Sequence, residues 1–411
     1  MNASDSTVTT ALKGLKVVEL CTMHAGPYCG KVLADMGAEV IKVEPPPSGD
    51  PTRRLGPFPQ DIPHQERSGA FFYLNTNKLG ITLNVSSPTG QHILRQLLQQ
   101  ADVFIEDWPP GALDALNLGY EALSQTHPAL VVTSITPFGQ TGPYRDYKAY
   151  PLNTFHAGGE GYTLPGGMGW SLFSDRPPLQ VAGSAGEHYA GLMAAFATLI
   201  ALFGRTVTGR GQYVDVSKQE TLMNLTKRTV EQYPNEGHIE SRATAMFQVG
   251  GTFQCKDGFV LLLINTDGMW TGLVELLGNP EWALREEYAN RTGRAADGKV
   301  INAKIAEWTM FHTKDEIYHQ GQAHGIAVTP YLTPEEVYAS PQLGYRGYFV
   351  DVDFPGVGAI AMATAAYSSS KTPWTLRRPA PILGKHNQEV LCQRLGYSRE
   401  DVVRLRACGI I

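Results

Sequence analysis

One carboxylate in this chain stands where a carboxylate can do chemistry. Glu187 lies in Ser184-Ala-Gly-Glu-His-Tyr-Ala-Gly-Leu-Met-Ala-Ala-Phe196, at the head of an apolar stretch that runs to Phe203. Leu192, Phe196, Leu199 and Phe203 recur at three- and four-residue steps, the spacing of one helical face. Ser184 followed three residues later by Glu187 fits a capping box and predicts that the helix starts there. The carboxylate then sits in the first turn, where free N–H groups and the helix dipole favour its charged form. Alanine and glycine surround it, so a substrate can come close. The plainer reading of the same residues is that Glu187 only caps the helix.

Composition narrows what such a carboxylate could serve. The 411 residues exceed one ordinary core, which points to two domains. Hydrophobic residues make up 43% and charged residues 18%, a soluble globular composition. The net charge of −5 gives no basic face for nucleic acid. The longest apolar run, Ala190 to Phe203, is short for a membrane span. The polar start, Met1-Asn-Ala-Ser-Asp-Ser-Thr, lacks a signal-peptide core. The 5 cysteines form no CxxC pair, and their odd number suits a reduced, cytoplasmic protein in which each is a small packing residue. The 11 histidines show no HExxH and no Cys/His spacing, so no metal site is expected.

The elements that must position Glu187 alternate. Leu15 to Leu20 reads as a buried strand, a helix follows from Pro27 to about Met36 with Gly37 as its C-terminal cap, and Glu39 to Val43 is the next strand. That βαβ unit implies a parallel sheet with a right-handed crossover. No GxGxxG lies between Leu20 and Pro27, so a nicotinamide-binding reading fails while the architecture stands. Pro45 to Ser68 is a long loop. Ile81 to Asn84, Val103 to Ile105, Leu130 to Ile135 and Tyr213 to Ser217 read as further strands, with a helix from Ser87 through Gln99. Ligands in such sheets sit at the carboxyl ends of the strands, so the loops after Leu20, Val43, Ile105 and Ile135 are the site candidates. From about 221 to 330 the texture changes to a hairpin turning at Asp257-Gly258 and helical patterns from Met269, Val300 and Lys314. Thr333 to Glu336 is a capping box that opens a return segment, and helical patterns start at His386 and Ser398.

In order along nearly the whole chain stand Ala25-Gly26-Pro27, Gly37 to Glu44, Gly49-Asp50, Asn75 to Lys78, Ala101-Asp-Val103, Pro110-Gly111, Phe138-Gly139, Gly142-Pro-Tyr144, Thr208 to Gln212, Pro379-Ala-Pro381, Leu383-Gly384 and His386. Each motif is weak alone; their order is specific. On them the chain resembles the family III coenzyme A transferases, the CaiB/BaiF-like group. The resemblance implies an α/β fold with a Rossmann-like large domain built from both chain ends, 1–220 and 331–411, and a small α+β domain at 221–330. It implies a homodimer whose subunits interlock like links of a chain. It also implies an acyl-CoA:carboxylate CoA-transferase with no permanently bound cofactor, coenzyme A entering as substrate beside an acyl donor and a carboxylic acid.

In that family an Asp four residues before a helix-opening Gly is the nucleophile. Here the Gly is Gly191 and the aligned residue is Glu187, one methylene longer, which shifts the carboxylate by roughly 1 Å. The family's basic CoA contacts align with Pro45, Ser86 and Ala115, so those three charges are missing. Lys148 matches a fourth family lysine and Tyr150 a pocket tyrosine. Arg53, Arg54, Lys78 and Arg145 are replacement cations or else solvated surface charges. His24, beside Ala25 in the active-site loop, either orients the acyl group or is structural. Two other readings stay open. One is a different acyl-CoA reaction, such as isomerisation, epimerisation or thioester hydrolysis, although the residue that would serve a racemase aligns at Tyr150 rather than a His. The other is a diverged paralogue that binds or acts on a non-CoA acyl ligand.

Overall fold

The computed structural model describes residues 9–225, 227–244 and 248–411. The chain divides into two compact units. One comprises Met1–Gly158, Val181–Thr226 and Gly344–Ile411; the other comprises Gly159–Gln180 and Lys227–Leu343. The segment Gly159–Gln180 thus belongs with the smaller unit, and the return to the larger one comes at Gly344 rather than at 331.

The larger unit is built on a six-stranded sheet. Its strands are β1 (Lys16–Leu20), β2 (Glu39–Glu44), β3 (Lys78–Thr82), β4 (Val103–Glu106), β5 (Val131–Thr136) and β6 (Tyr213–Ser217). They run parallel in the order β3-β2-β1-β4-β5-β6. The order reverses between β1 and β4, so a crevice opens at the carboxyl ends of those two strands. The α/β class expected from the sequence is the class the chain adopts.

Both sheet faces are covered, and the strand sequences show why. Successive residues point to opposite faces. Val17, Val40, Val103 and Val131 pack on one side with α1 (Ala25–Asp35); Val18, Ile41, Phe104 and Val132 pack on the other with α3 (Pro88–Leu98). Such unbroken β-branched runs are what a strand buried on both faces requires. The remaining helices in this part of the chain are α2 (Gly69–Asn75), α4 (Tyr120–Thr126), α5 (Pro151–Ala157), α6 (Met168–Leu172), α7 (Ala185–Thr208) and α8 (Lys218–Leu225), of which α6 falls in the smaller unit.

The 24 residues of α7 are long and apolar enough to cross a membrane by length and composition, which the shorter apolar run had not suggested. In the fold, however, its small residues face inward. Gly186, Glu187, Ala190, Gly191, Ala194, Ala195, Thr198 and Ala201 are buried, while Leu192, Phe196, Ile200 and Phe203 are exposed. A Cβ on Gly191 would stand 2.4 Å from the Ala25 carbonyl oxygen, so only glycine permits this approach of α7 to α1. The periodic large residues correctly mark a helix, but they are not its buried face.

β3 begins at Lys78, three residues earlier than the apolar run suggests, because the lysine and its neighbours are buried. Its outer edge is covered by the returning C-terminal segment. Gly80 N donates to His386 Nδ1 at 2.9 Å, Thr82 N donates to Asn387 Oδ1 at 2.8 Å, and Arg377 N donates to Asn77 Oδ1 at 2.6 Å.

The smaller unit contains β7 (Gly250–Cys255), β8 (Gly258–Leu263) and β9 (Ala327–Pro330), an antiparallel sheet whose first hairpin turns at Lys256-Asp257, one residue before the expected Asp257-Gly258, because Gly258 pairs with Cys255. Helices Asp267–Leu276, Gly298–Thr309 and Lys314–Ala323 accompany it. A second hairpin, β10 (Phe349–Phe354) with β11 (Gly358–Ala363), lies in the larger unit and was not anticipated.

Candidate active site

Glu187 lies in the first turn of α7, with only 3% of its surface exposed. The expected capping box does not form. Ser184 adopts a left-handed backbone (φ 56°, ψ 33°) and its side chain makes no cap bond. Its carbonyl, not its hydroxyl, accepts from Glu187 N at 3.0 Å. The Glu187 carboxylate turns away from the helix start to Lys218, whose Nζ donates to Oε2 at 2.6 Å. Among the described residues no hydrogen bond reaches the other oxygen, Oε1. The cap-only reading therefore loses its hydrogen bond, and the carboxylate is left with one oxygen held and one available.

Lys218 was missed. It directly follows β6 and opens α8, so it stands at a carboxyl end of the parallel sheet like the loops singled out after four other strands. That rule applied to the sixth strand would have found it. The two residues that follow it are held in place: Gln219 N donates to the Pro137 carbonyl at 3.1 Å and Glu220 N to Ser217 Oγ at 3.2 Å.

The loop after β1 forms the facing wall. Met23 takes a left-handed backbone (φ 62°), and its N–H donates to Asp50 Oδ1 at 3.1 Å. Non-glycine residues rarely hold that conformation without support from their surroundings. Thr22 N donates to Asp107 Oδ2 at 2.9 Å, tying the ends of β1 and β4 together across the crevice. His24 precedes α1, and its Nδ1 is buried without a hydrogen-bond partner among the described residues. Burial pushes its imidazole below the ordinary value, against the pull of the Glu187 carboxylate. The His188 ring lies 6.2 Å from that of His24 and 4.8 Å from Tyr28. His188 Nδ1 is 3.0 Å from the Ser184 carbonyl, a contact that requires the proton on Nδ1. Ala25 is buried behind His24 against α7.

Beneath this wall runs a chain of buried charges. Lys78 Nζ meets Glu19 Oε2 at 2.7 Å, Lys42 Nζ meets Glu19 Oε1 at 3.0 Å, and Lys42 meets Asp50 Oδ2 at 2.8 Å. Burial raises the Asp50 carboxyl, but Lys42 and the Thr52 groups outweigh it and hold the carboxyl below its usual range. Asp50 is thereby kept as the acceptor that fixes Met23.

This network corrects the expectation for two cations. Arg53 is fully buried, bridged to Glu44 and Glu66 at 2.7 Å each, and Lys78 is fully buried on Glu19, the Pro27 carbonyl and Asn75. They are neither solvated surface charges nor free for a phosphate. Arg54 is exposed, its guanidinium on the Ser48 carbonyl. Arg145 lines a cavity of about 230 Å³ with Glu106, Gly111, Gln140 and Tyr213. Lys148 is exposed. Tyr150 is 78% exposed at the N-cap of α5, where its N–H donates to Asn153 Oδ1. The structure thus brings His24, Ala25 and Glu187 together and leaves Arg54, Lys148 and Tyr150 on the surface. No group of three or more His, Cys, Asp or Glu suited to a metal ion occurs among the described residues.

A buried carboxylate beside an ammonium, at the head of a helix and at the crevice of a parallel sheet, is equipped to attack a carbonyl carbon. Comparison with known proteins gives the family. The family model for CoA-transferase family III matches residues 12–387. The chain is 32% identical over 406 residues to a succinyl-CoA–D-citramalate CoA-transferase of Chloroflexus aurantiacus, covering 97% of this chain and 98% of that one. It is 31% identical to a formyl-CoA:oxalate CoA-transferase of Rhodopseudomonas palustris, covering 98% of each. The crystal structure of a CaiB/BaiF family protein from Brucella suis superposes with a TM-score of 0.81 at 30% identity, covering 93% of this chain and 99% of that one. With the motifs, the fold and these relatives in agreement from end to end, the chain belongs to CoA-transferase family III and is an enzyme of the CoA-transferase class.

Proposed function

We propose that the protein is an acyl-CoA:carboxylate CoA-transferase whose covalent nucleophile is Glu187. The observation that carries this reading is the buried Glu187 carboxylate at the head of α7, with Oε2 on Lys218 and Oε1 without a hydrogen bond among the described residues. Oε1 attacks the donor thioester and expels CoA thiolate, giving a mixed anhydride. The thiolate attacks the glutamyl carbonyl and releases the donor acid, leaving a glutamyl-CoA thioester. An acceptor carboxylate attacks that thioester, and the thiolate then takes the acceptor acyl group. Thioester energy is kept throughout. His24 Nδ1, without a hydrogen-bond partner among the described residues, is placed to meet a polar group of the acyl chain.

Relatives named for succinyl-CoA, formyl-CoA, citramalate, malate and oxalate suggest a short acyl-CoA donor and a small dicarboxylic acceptor. Of the cations considered for the CoA phosphates, Arg54, Arg145 and Lys148 have charge to offer. The exposed stripe on α7, Leu192, Phe196, Ile200, Phe203 and Val207, supports a homodimer that covers it. The interlocked form of that dimer is the family's.

The test is a matrix of acyl-CoA donors, succinyl- and formyl-CoA first, against dicarboxylic acids, with products identified by mass. With the active donor alone, hydroxylamine should then convert Glu187 to its hydroxamate. Glu187→Gln should lose about 1,000-fold or more in transfer, the scale of removing a covalent nucleophile. A Gln variant with full transfer activity and no hydroxamate on the parent chain would end this reading. Net hydrolysis without transfer would move the protein to the thioesterases.

A further inference from the structure

We propose that Lys218 is a catalytic residue, its ammonium stabilising negative charge on Glu187 Oε2 whenever a nucleophile attacks the glutamyl carbonyl. This rests on the reading of Glu187 as the covalent nucleophile. The geometry distinguishes the two carboxylate oxygens, since Oε2 is 2.6 Å from Lys218 Nζ and no hydrogen bond reaches Oε1 among the described residues.

The fate of each oxygen follows from the bonds made and broken. In the first step Oε1 bonds the donor acyl carbon, the C–S bond breaks, and the oxyanion of that tetrahedral species is on the acyl oxygen, away from Lys218. Oε1 becomes the bridging atom of the anhydride and Oε2 its glutamyl carbonyl oxygen. In the second step CoA thiolate bonds Glu187 Cδ and the electron pair moves onto Oε2. Collapse breaks the Cδ–Oε1 bond, and the donor acid departs with Oε1. In the third step an acceptor carboxylate oxygen bonds Cδ, charge gathers on Oε2 again, and the C–S bond breaks. In the fourth the thiolate bonds the acceptor acyl carbon, and the bridging oxygen stays with Glu187. Two of the four additions therefore place their charge on the atom that Lys218 touches.

Several features suit Lys218 to hold that charge. It follows Ser217, paired to Thr136 in the sheet, and precedes Gln219 and Glu220, whose N–H groups are bonded, so the ammonium needs little reorganisation as charge develops. Its side chain is only 17% exposed, which limits solvent screening. Asp107, half-buried just beyond β4, lies close enough to feel the Lys218 charge. A lysine that merely neutralised a buried carboxylate would act on all steps alike, or on none.

The experiment separates those roles by following steps individually. It compares Lys218→Met and Lys218→Arg with the parent chain, starting with succinyl-CoA as donor and citramalate as acceptor, or the best pair of the matrix above. With donor alone, intact-mass analysis reports the glutamyl-CoA adduct and a thiol reagent reports released CoA. Lys218→Met should release thiol within about fivefold of the parent rate but lose transfer by about 100-fold or more, the cost of removing one oxyanion donor. Its adduct yield should fall at least tenfold as the anhydride is lost to water. Lys218→Arg, which keeps the charge, should recover most of the transfer. Should the methionine chain not fold by circular dichroism, Lys218→Gln carries the same comparison with a neutral hydrogen bond to Oε2. Transfer and adduct yield equal to the parent in the neutral variant would overturn the proposal. So would an equal slowing of thiol release and transfer. If Glu187→Gln keeps full activity, the nucleophile reading fails first, and that result is read independently of Lys218.

Discussion

Asp107 shows what the crevice demands of single residues. Burial lifts its carboxyl to about 7, against the opposing effects of the Thr22 N–H and Lys218. An unfolded aspartate titrates near ~3.9. Between those values the folded chain holds a proton the unfolded chain has released, so this group's contribution is complete below about pH 4 and is lost as pH rises towards 7. Asp107→Asn keeps an acceptor for Thr22 and cannot ionise. Its stability relative to the parent, from urea melts, should therefore be about 2 kcal/mol more favourable at pH 8 than at pH 5. Equal effects at both pH values would show that Asp107 is not titrating in the fold. Glu187 was legible as a candidate because small neighbours and a helix start surround it in sequence. Asp107 and Lys218 were not, because their partners, Thr22 and Glu187, are 85 and 31 residues away. Arg53 and Lys78 misled for the same reason: a cation beside a polar loop reads as exposed until the carboxylates that bury it are known.

At the scale of elements, the seating of α7 on α1 sets the distance between Glu187 and the His24 loop. Gly191 is the contact that allows it. In Gly191→Ala the new Cβ would meet the Ala25 carbonyl oxygen at 2.4 Å, a backbone atom that cannot rotate away. The helices must part, and kcat/KM should fall about 100-fold, as for a misplacement of about 1 Å at a reacting group. The stability cost should be about 1–3 kcal/mol, typical of overpacking. Gly204→Ala, on the same helix with its nearest neighbour 3.8 Å away, should leave turnover unchanged and gain about 0.5–1 kcal/mol from helix propensity. Comparable activity losses in the two variants would refute a contact-specific role for Gly191. Strand and helix identities were readable here because the sheet is buried on both faces and its apolar runs are uninterrupted. The face of α7 was not, because a tight helix contact selects alanine and glycine, which carry little hydropathy signal. β10 and β11 were missed because only alternate residues of β10 are buried, and its exposed Asp351 and Asp353 break the apolar run.

At the scale of the molecule, the stripe that the tight contact pushes outward is the main unresolved surface of a single chain. Phe196 is 59% exposed, Phe203 74% and Val207 81%, all on one helix. A contiguous apolar face of this kind marks an interaction surface, and a closed dimer buries it on both copies at once. Light scattering after size exclusion should therefore give twice the chain mass at micromolar protein. The double variant Phe196→Asp, Phe203→Asp should lose the dimer, appearing as aggregate or unfolded chain. A compact, active monomer of the parent chain would overturn the dimer.

The covering of β3 by the returning segment has a consequence for biosynthesis. Asn387 reaches Thr82 across 305 residues, and Asn77 reaches Arg377 across 300. During translation the sheet edge formed by residues 78–82 must therefore wait, unpaired, while some 300 further residues are made, the whole smaller unit among them. Open edges are templates for wrong pairing, and slow nonlocal closure leaves them exposed longest. The same β3 carries Lys78, whose ammonium starts the buried charge chain beneath the loop after β1. A ribosome that stalls short of residue 387 would thus release a chain with most of its site residues already made and the strand that underpins them still unsealed.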